Sequence, residues 1–209
     1  MDAQPTVFVV DDDQAVRKSL ELLIRSVNMN VTTFASAQDF LAAYDEQRPG
    51  CLIVDIRMPG MSGLELQRCL IERGAHPPII IITGHGDVPI AVRAMKDGAL
   101  EFLEKPFSKQ LLLEHVRAAL QRDVEQRTRS LRRADIHSRL SALTPREREV
   151  MELVVAGKAS KEVAAQLQIS KKTVDVHRGR VMQKMKAESL AELVEMVLSG
   201  RSADPAAHA

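Results

Sequence analysis

The first 120 residues alternate short apolar runs with longer stretches of helical spacing. Five runs read as strands, at 6–10, 30–34, 51–55, 79–83 and 100–103, the first and third apolar enough to be buried on both faces. Between them the spacing predicts helices at 14–27, 36–47, 63–73, 87–97 and from 107 to 122 or beyond. In the first, Val16, Leu20, Leu23, Ile24 and Val27 share one face. Gly50, Gly60, Gly74 and Gly98 punctuate the connections. Strict strand–helix alternation predicts an α/β fold, a doubly wound parallel sheet with right-handed crossovers and helices on both faces. No internal repeat is visible.

Beyond residue 120 the strand pattern stops. Residues 121–139 are Arg-rich with sparse apolar positions (Val124, Leu131, Ile136) and read as a solvated helical linker continuing the fifth helix. A short seam through Leu113, Val116, Leu120 and Val124 falls short of the three or four heptads a coiled coil needs. From Leu143 the pattern is wholly helical. Thr144, Pro145 and Glu147 form a capping-box start, and Gly157 ends that helix. Ser160 is expected to cap a second helix, 161–167. Ser170 caps a third running through Lys186, and Ser189 opens a fourth, 190–198, stopped by Gly200. The expected organisation is a domain at 1–122, a linker at 123–140, an all-α four-helix domain at 141–200 and a disordered tail at 201–209.

Charge sharpens this division. The net charge of +1 hides an acidic front, with 12 Lys and Arg against 16 Asp and Glu in residues 1–120. Residues 121–140 carry six Arg against three acids, and residues 141–200 carry ten basic residues against eight acidic. Two domains with different partners follow. Aromatics make up 3% with no Trp, which argues against stacking on single-stranded nucleic acid. Cys51 and Cys69 have no ligand-spaced neighbours and read as buried, reduced thiols. The polar start lacks signal-peptide character, and no apolar run approaches the ~18 residues of a bilayer span. A cytoplasmic protein without membrane contact is expected.

The chemistry lies at the strand ends. Asp11 and Asp12 follow the first strand, Asp55 ends the third, Thr83 the fourth, and Lys105 follows the fifth. Singly, each has a bland reading: a helix N-cap, a surface charge, a strand residue. Together they meet at the carboxyl edge of one sheet, where open α/β sheets bind ligands. Crowded carboxylates repel unless a cation joins them, and hard oxygen donors suit Mg2+. A carboxylate can accept a phosphoryl group as an acyl phosphate. Asp55 is the candidate phosphoacceptor, Asp11, Asp12 and Asp55 hold the metal, and Lys105 and Thr83 meet the phosphoryl oxygens.

The runs Val10-Asp11-Asp12-Asp13, Asp55-Ile56-Arg57-Met58-Pro59-Gly60, Ile82-Thr83-Gly84-His85-Gly86 and Glu104-Lys105-Pro106-Phe107 resemble the receiver domain of bacterial two-component response regulators, over roughly residues 5–122. The resemblance implies a flavodoxin-like sheet of order 2-1-3-4-5 and a sensor histidine kinase as partner. It also implies that the Arg57 carbonyl completes the metal shell, that Lys105-Pro106 is cis, and that Phe102 is an aromatic switch answering Thr83. By pattern alone Phe102 is plain core. Gly84-His85-Gly86 lacks the third glycine and following acid of a dinucleotide fingerprint.

Segments 160–167 and 170–186, joined by Gln168-Ile169, have helix-turn-helix proportions. Val174, Val181 and Met185 form one face of the third helix, and Lys172, Asp175, Val176, Gly179 and Gln183 the other. Six basic residues stand against Asp175 alone in 170–186. A solvated surface helix is the bland reading; a capped partner helix beside it favours phosphate contact and a major-groove fit. The stretch from Leu143 to Met185 resembles the LuxR-type output domain, and the whole chain the NarL/FixJ subfamily of response regulators. Expected DNA-facing residues are Lys171, Lys172, Thr173, Asp175, Val176, Arg178, Gly179, Arg180 and Lys184. Gly179 departs from the family pattern, having no side chain to reach a base, so readout leans on Lys172, Asp175 and Val176. His177 reads as packed.

The expected protein is therefore a DNA-binding response regulator, not an enzyme, that forms a homodimer on phosphorylation and engages promoter DNA and RNA polymerase. One alternative is a Mg2+-dependent phosphatase of haloacid-dehalogenase type, since Asp11-x-Asp13 echoes that nucleophile motif; Ala15 stands where it wants Thr or Val. Another is a constitutive DNA-binding protein with a vestigial receiver.

Overall fold

In the computed structural model, which describes residues 4–84 and 88–201, the chain divides into two units, at 1–127 and 128–209. In the first unit β1 (Thr6–Val10), β2 (Asn30–Phe34), β3 (Gly50–Asp55), β4 (Ile79–Thr83) and β5 (Glu101–Glu104) alternate with α1 (Gln14–Arg25), α2 (Ala37–Ala43), α3 (Gly63–Glu72) and α4 (Val88–Lys96). The sheet is parallel, in the order β2-β1-β3-β4-β5.

Every residue of β1, β3 and β4 is buried, as expected of strands covered on both sides. Phe8, Val10, Leu52, Val54 and Ile81 pack with Phe40, Leu66, Leu70 and Ala94 of α2, α3 and α4. Val7, Val9, Cys51, Ile53, Ile80 and Ile82 pack on the other face with Leu20 and Ile24 of α1 and with Leu112, Val116 and Ala119. These last three belong to α5 (Lys109–Ser141).

Helix ends differ from the sequence pattern where side chains intervene. The second helix stops at Ala43 instead of 47, because Tyr44 turns its ring onto Phe8 and Phe40 at centroid distances of 5.9 and 4.9 Å. The first stops at Arg25, where Ser26 donates its hydroxyl to the Leu23 carbonyl. The expected start of the fourth helix at Asp87, the His85-Gly86 step and the tail beyond Arg201 lie outside the described residues.

The linker stretch is helical but not uniformly solvated. Asp123 and Ile136 are buried while residues 128–135 are all exposed. Asp123 accepts from the Gly50 amide at 2.8 Å and from Arg127 Nε at 2.8 Å, and Arg127 donates onward to the carbonyls of Glu46 and Arg48. The first unit thus grips its last helix well past the strand pattern. An Asp–Arg pair at i,i+4 was the available signal.

In the second unit, α6 (Pro145–Val155), α7 (Ser160–Leu167), α8 (Lys171–Met185) and α9 (Leu190–Arg201) enclose two small cores. Two expected boundaries need correcting. Ser160 does not cap α7: Ala159 does, with its amide donating to Glu162 Oε2 at 2.8 Å, and the Ser160 hydroxyl instead accepts from Arg178. Gly200 does not stop α9 but lies within it, where an added Cβ would come 3.2 Å from Ile136 and Leu140 side-chain carbons. Glycine is there for close packing, not termination.

Candidate functional site: a charged sheet edge and a helix-turn-helix

Register decides which side chains meet at the carboxyl edge. Val10 pairs with Val54 across β1 and β3, so Asp11 and Asp55 emerge level on neighbouring strands. Asp55 pairs with Ile82 and Thr83 with Glu104, which brings Thr83 and Lys105 to the same edge. Lys105 Nζ donates to Asp11 Oδ2 at 2.7 Å and to Asp55 Oδ1 at 2.8 Å. Both carboxylates are buried, as is Thr83. The Lys105-Pro106 peptide is cis, and the Lys105 amide donates to the Thr83 carbonyl at 2.7 Å.

Backbone donors orient the acids. Asp11 Oδ1 accepts from the Asp13 amide at 2.9 Å, and Asp55 Oδ2 from the Arg57 amide at 2.7 Å. Arg17 holds the loop from behind, donating to the carbonyls of Asp11 and Asp12. Burial pushes the Asp11 carboxyl above its ordinary range, against the pull of Lys105 and the Asp13 amide. Burial works to lower the Lys105 ammonium, but the hydrogen bonds and charges of Asp11 and Asp55 outweigh it and raise the pKa. Lys105 is therefore a fixed cation at neutral pH.

Gly63 makes the geometry possible. A Cβ there would stand 2.4 Å from the Asp55 carbonyl oxygen, so only glycine lets α3 begin against the backbone of that residue. Ser62 caps α3 with a full capping box to Glu65.

The predicted residues are not all alike in place. Asp12 and Arg57 are exposed, and Phe102 is half-buried against the core of α2, α3 and α4. Among the described residues no group of three His, Cys, Asp or Glu side chains stands arranged around a metal. The donor chemistry nevertheless suits a hard divalent cation. Two convergent carboxylates share one ammonium, leaving net negative charge, and Asp12 and the Arg57 carbonyl lie on the loops beside them.

In the second unit Gln168 takes a left-handed conformation (φ 55°) between α7 and α8, and the Ser170 hydroxyl caps α8 by accepting from the Thr173 amide at 3.0 Å. Val174, Val181 and Met185 are buried. Lys171, Lys172, Asp175, Val176, Gly179, Arg180 and Gln183 are exposed, and Thr173, His177 and Arg178 half-buried. The helix thus buries the face the sequence assigned to packing.

Two expected DNA contacts are engaged inside the domain. Lys184 Nζ donates to Glu147 Oε2 at 2.7 Å and to the Ala142 carbonyl at 3.1 Å. Arg178 donates to the Ser160 hydroxyl at 2.8 Å. Both follow from face geometry: 174, 178, 181 and 185 are one inward stripe, and 184 borders it. Glu147, buried at 2% exposure, was missed as more than a cap. Lys184 and the Thr144 amide hold its carboxyl down at about 2.

A carboxylate–lysine pocket at the carboxyl edge of a 2-1-3-4-5 parallel sheet, joined in one chain to a capped helix-turn-helix with a basic outer face, defines the class of phosphorylation-responsive DNA-binding regulators. Family comparison agrees. Residues 7–117 match the response regulator receiver domain, and residues 141–197 match the bacterial regulatory proteins of the luxR family. The chain is 50% identical over 192 residues to the transcriptional regulatory protein FixJ of Azorhizobium caulinodans, covering 92% of this chain and 91% of that one. It is 48% identical over 190 residues to nodulation protein W of Bradyrhizobium diazoefficiens, covering 91% and 84%. Among solved structures, the response regulator StyR superposes with a TM-score of 0.86 at 46% identity over 94% of this chain and 99% of that one.

The chain belongs to the NarL/FixJ-type response regulators and is a DNA-binding two-component regulator of transcription. Neither the phosphatase nor the constitutive alternative gains support. Among the described residues no helix is long and apolar enough to cross a membrane.

Proposed function

We propose that Asp55 accepts a phosphoryl group from a sensor histidine kinase, and that the modified receiver dimerises and drives promoter binding by the second unit. The observation that carries this reading is the Lys105 ammonium shared between Asp11 and Asp55 at 2.7 and 2.8 Å. A cation already held against the nucleophile can follow charge placed on it. Transfer breaks the bond from the donor nitrogen to phosphorus and forms one from an Asp55 carboxylate oxygen. Lys105 then meets the added negative charge, and the Thr83 hydroxyl donates to a phosphoryl oxygen. Phe102 follows Thr83 and alters the surface of α4, β5 and α5 through which two copies pair. Asp11, Asp12, Asp55 and the Arg57 carbonyl would hold Mg2+, which when bound neutralises phosphoryl oxygens.

On DNA, Lys171, Lys172, Thr173 and Arg180 meet phosphates, while Asp175 and Val176 face base edges beside Gly179. Arg178 and Lys184 support the helix instead of touching DNA. Residues 1–122, 123–140 and 141–200 serve as receiver, connection and DNA-reading domain in the cytoplasm, with RNA polymerase as a further partner. Incubation with acetyl phosphate and Mg2+ followed by mass spectrometry should find one phosphoryl group, absent from Asp55→Asn. Full incorporation in that variant would refute the assignment.

A further inference from the structure

Helix α4 is nine residues long and buries one of them, Ala94. Val88, Val92 and Met95 are exposed, and Ile90 touches the core only in part. A helix seated so shallowly is held where polar contacts hold it. Its last turn closes over Gly98 (φ +92°), with the Ala99 amide donating to the Ala94 carbonyl at 3.0 Å. Into this turn reaches Gln67 of α3, 1% exposed. Its Nε2 donates to the Ala94 carbonyl at 3.2 Å and to the Asp97 carbonyl at 2.8 Å. Arg68 adds a looser contact, with Nε 3.7 Å from Asp97 Oδ2.

Two carbonyl oxygens can only accept, so the amide NH2 must face them and Oε1 must face away. That oxygen is buried and, among the described residues, has no donor. An unpaired buried acceptor is costly, and the cost calls for an explanation. The clamp ties two carbonyls of the last turn of α4 to α3 through a single buried side chain. Gln67 is also well placed to sense the phosphoacceptor. It lies one helical turn beyond Gly63, whose amide donates to the Ile56 carbonyl at 3.0 Å and where an added Cβ would stand 2.4 Å from the Asp55 carbonyl oxygen.

We infer that Gln67 is a positioning residue that ties the α4 C-terminus to the helix following Asp55 and holds α4 in its unphosphorylated arrangement. This rests on the reading that phosphorylation of Asp55 drives dimerisation through the α4 surface. The test uses the full chain with Gln67→Met, which keeps side-chain length and removes the clamp, and with Gln67→Asn, which keeps the amide but falls one methylene short. In the unphosphorylated variants the Gly98 and Ala99 amides should exchange at least about tenfold faster than wild type, with the Ile56 amide unchanged. Their dimers should be at least about fivefold tighter by sedimentation, while phosphoryl incorporation at Asp55 stays within about twofold. A merely structural glutamine would lower the melting temperature and leave the dimer constant alone. Exchange and dimerisation within about twofold of wild type in both variants would overturn the inference. Should wild type take no phosphoryl group, the proposed function fails, and the exchange measurement alone judges the clamp.

Discussion

Lys184→Met separates two roles for one lysine on the DNA-reading helix. A phosphate-binding lysine contributes to affinity through released counterions, and its loss lowers the slope of log K against log salt by about 0.9. A lysine engaged inside the domain contributes to stability instead. Lys184 stands 2.7 Å from Glu147, with side chains 36% and 3% exposed. Removing one partner of a fully buried pair costs about 3–5 kcal/mol, whereas an exposed pair is worth about 0–1 kcal/mol. One buried end and one open end, with the Thr144 amide still donating to Glu147 at 2.9 Å, put the cost near 2 kcal/mol. For a domain of this size that lowers Tm by roughly 8–16 °C. Methionine keeps the apolar stem, so the loss reports on the charge. The assays are calorimetry of the full chain and anisotropy titrations on a mixed-sequence duplex from about 50 to 200 mM salt. Lys172→Met, from an exposed position, is the comparison and should lower the slope with Tm unchanged. If Lys184→Met lowered the slope and left Tm within about 2 °C, the inward assignment would be wrong.

Two further outcomes follow. Because Glu147 is held at about 2 against an ordinary 4.5, its contribution is complete above 4.5 and lost as pH falls towards 2; the melting-temperature gap between wild type and Glu147→Gln should close over that window, and a gap constant across it would contradict the pairing. Gly63→Ala places a Cβ 2.4 Å from the Asp55 carbonyl oxygen, a backbone clash that should cost roughly 1–3 kcal/mol of receiver stability and slow phosphoryl uptake; a wild-type melt would show that the backbone yields freely.

Strands β1, β3 and β4 and the sheet-edge residues were legible because burial on both faces leaves a continuous apolar run, and polar residues surface only where it ends. Asp11, Asp55, Thr83 and Lys105 declared themselves in this way, and the register then made them neighbours. Contacts made by long side chains across elements left no such periodic mark. Nothing in the spacing of Gln67 announces two carbonyls on another helix, and nothing around Asp123 points to Gly50, 73 residues away. Charge counting does not see such contacts either. Six basic residues in 170–186 look equivalent in sequence, yet helical geometry turns Arg178 inward to Ser160 and Lys184 to Glu147. Gly179, which a Cβ would not crowd, is the reverse case: packing does not require it. An exposed glycine costs about 1 kcal/mol of helix stability, and at 179 it leaves a gap in the exposed face of α8 beside Asp175 and Val176. Under the proposed DNA reading, base recognition falls to Asp175 and Val176 around that gap, which composition alone could not have ranked.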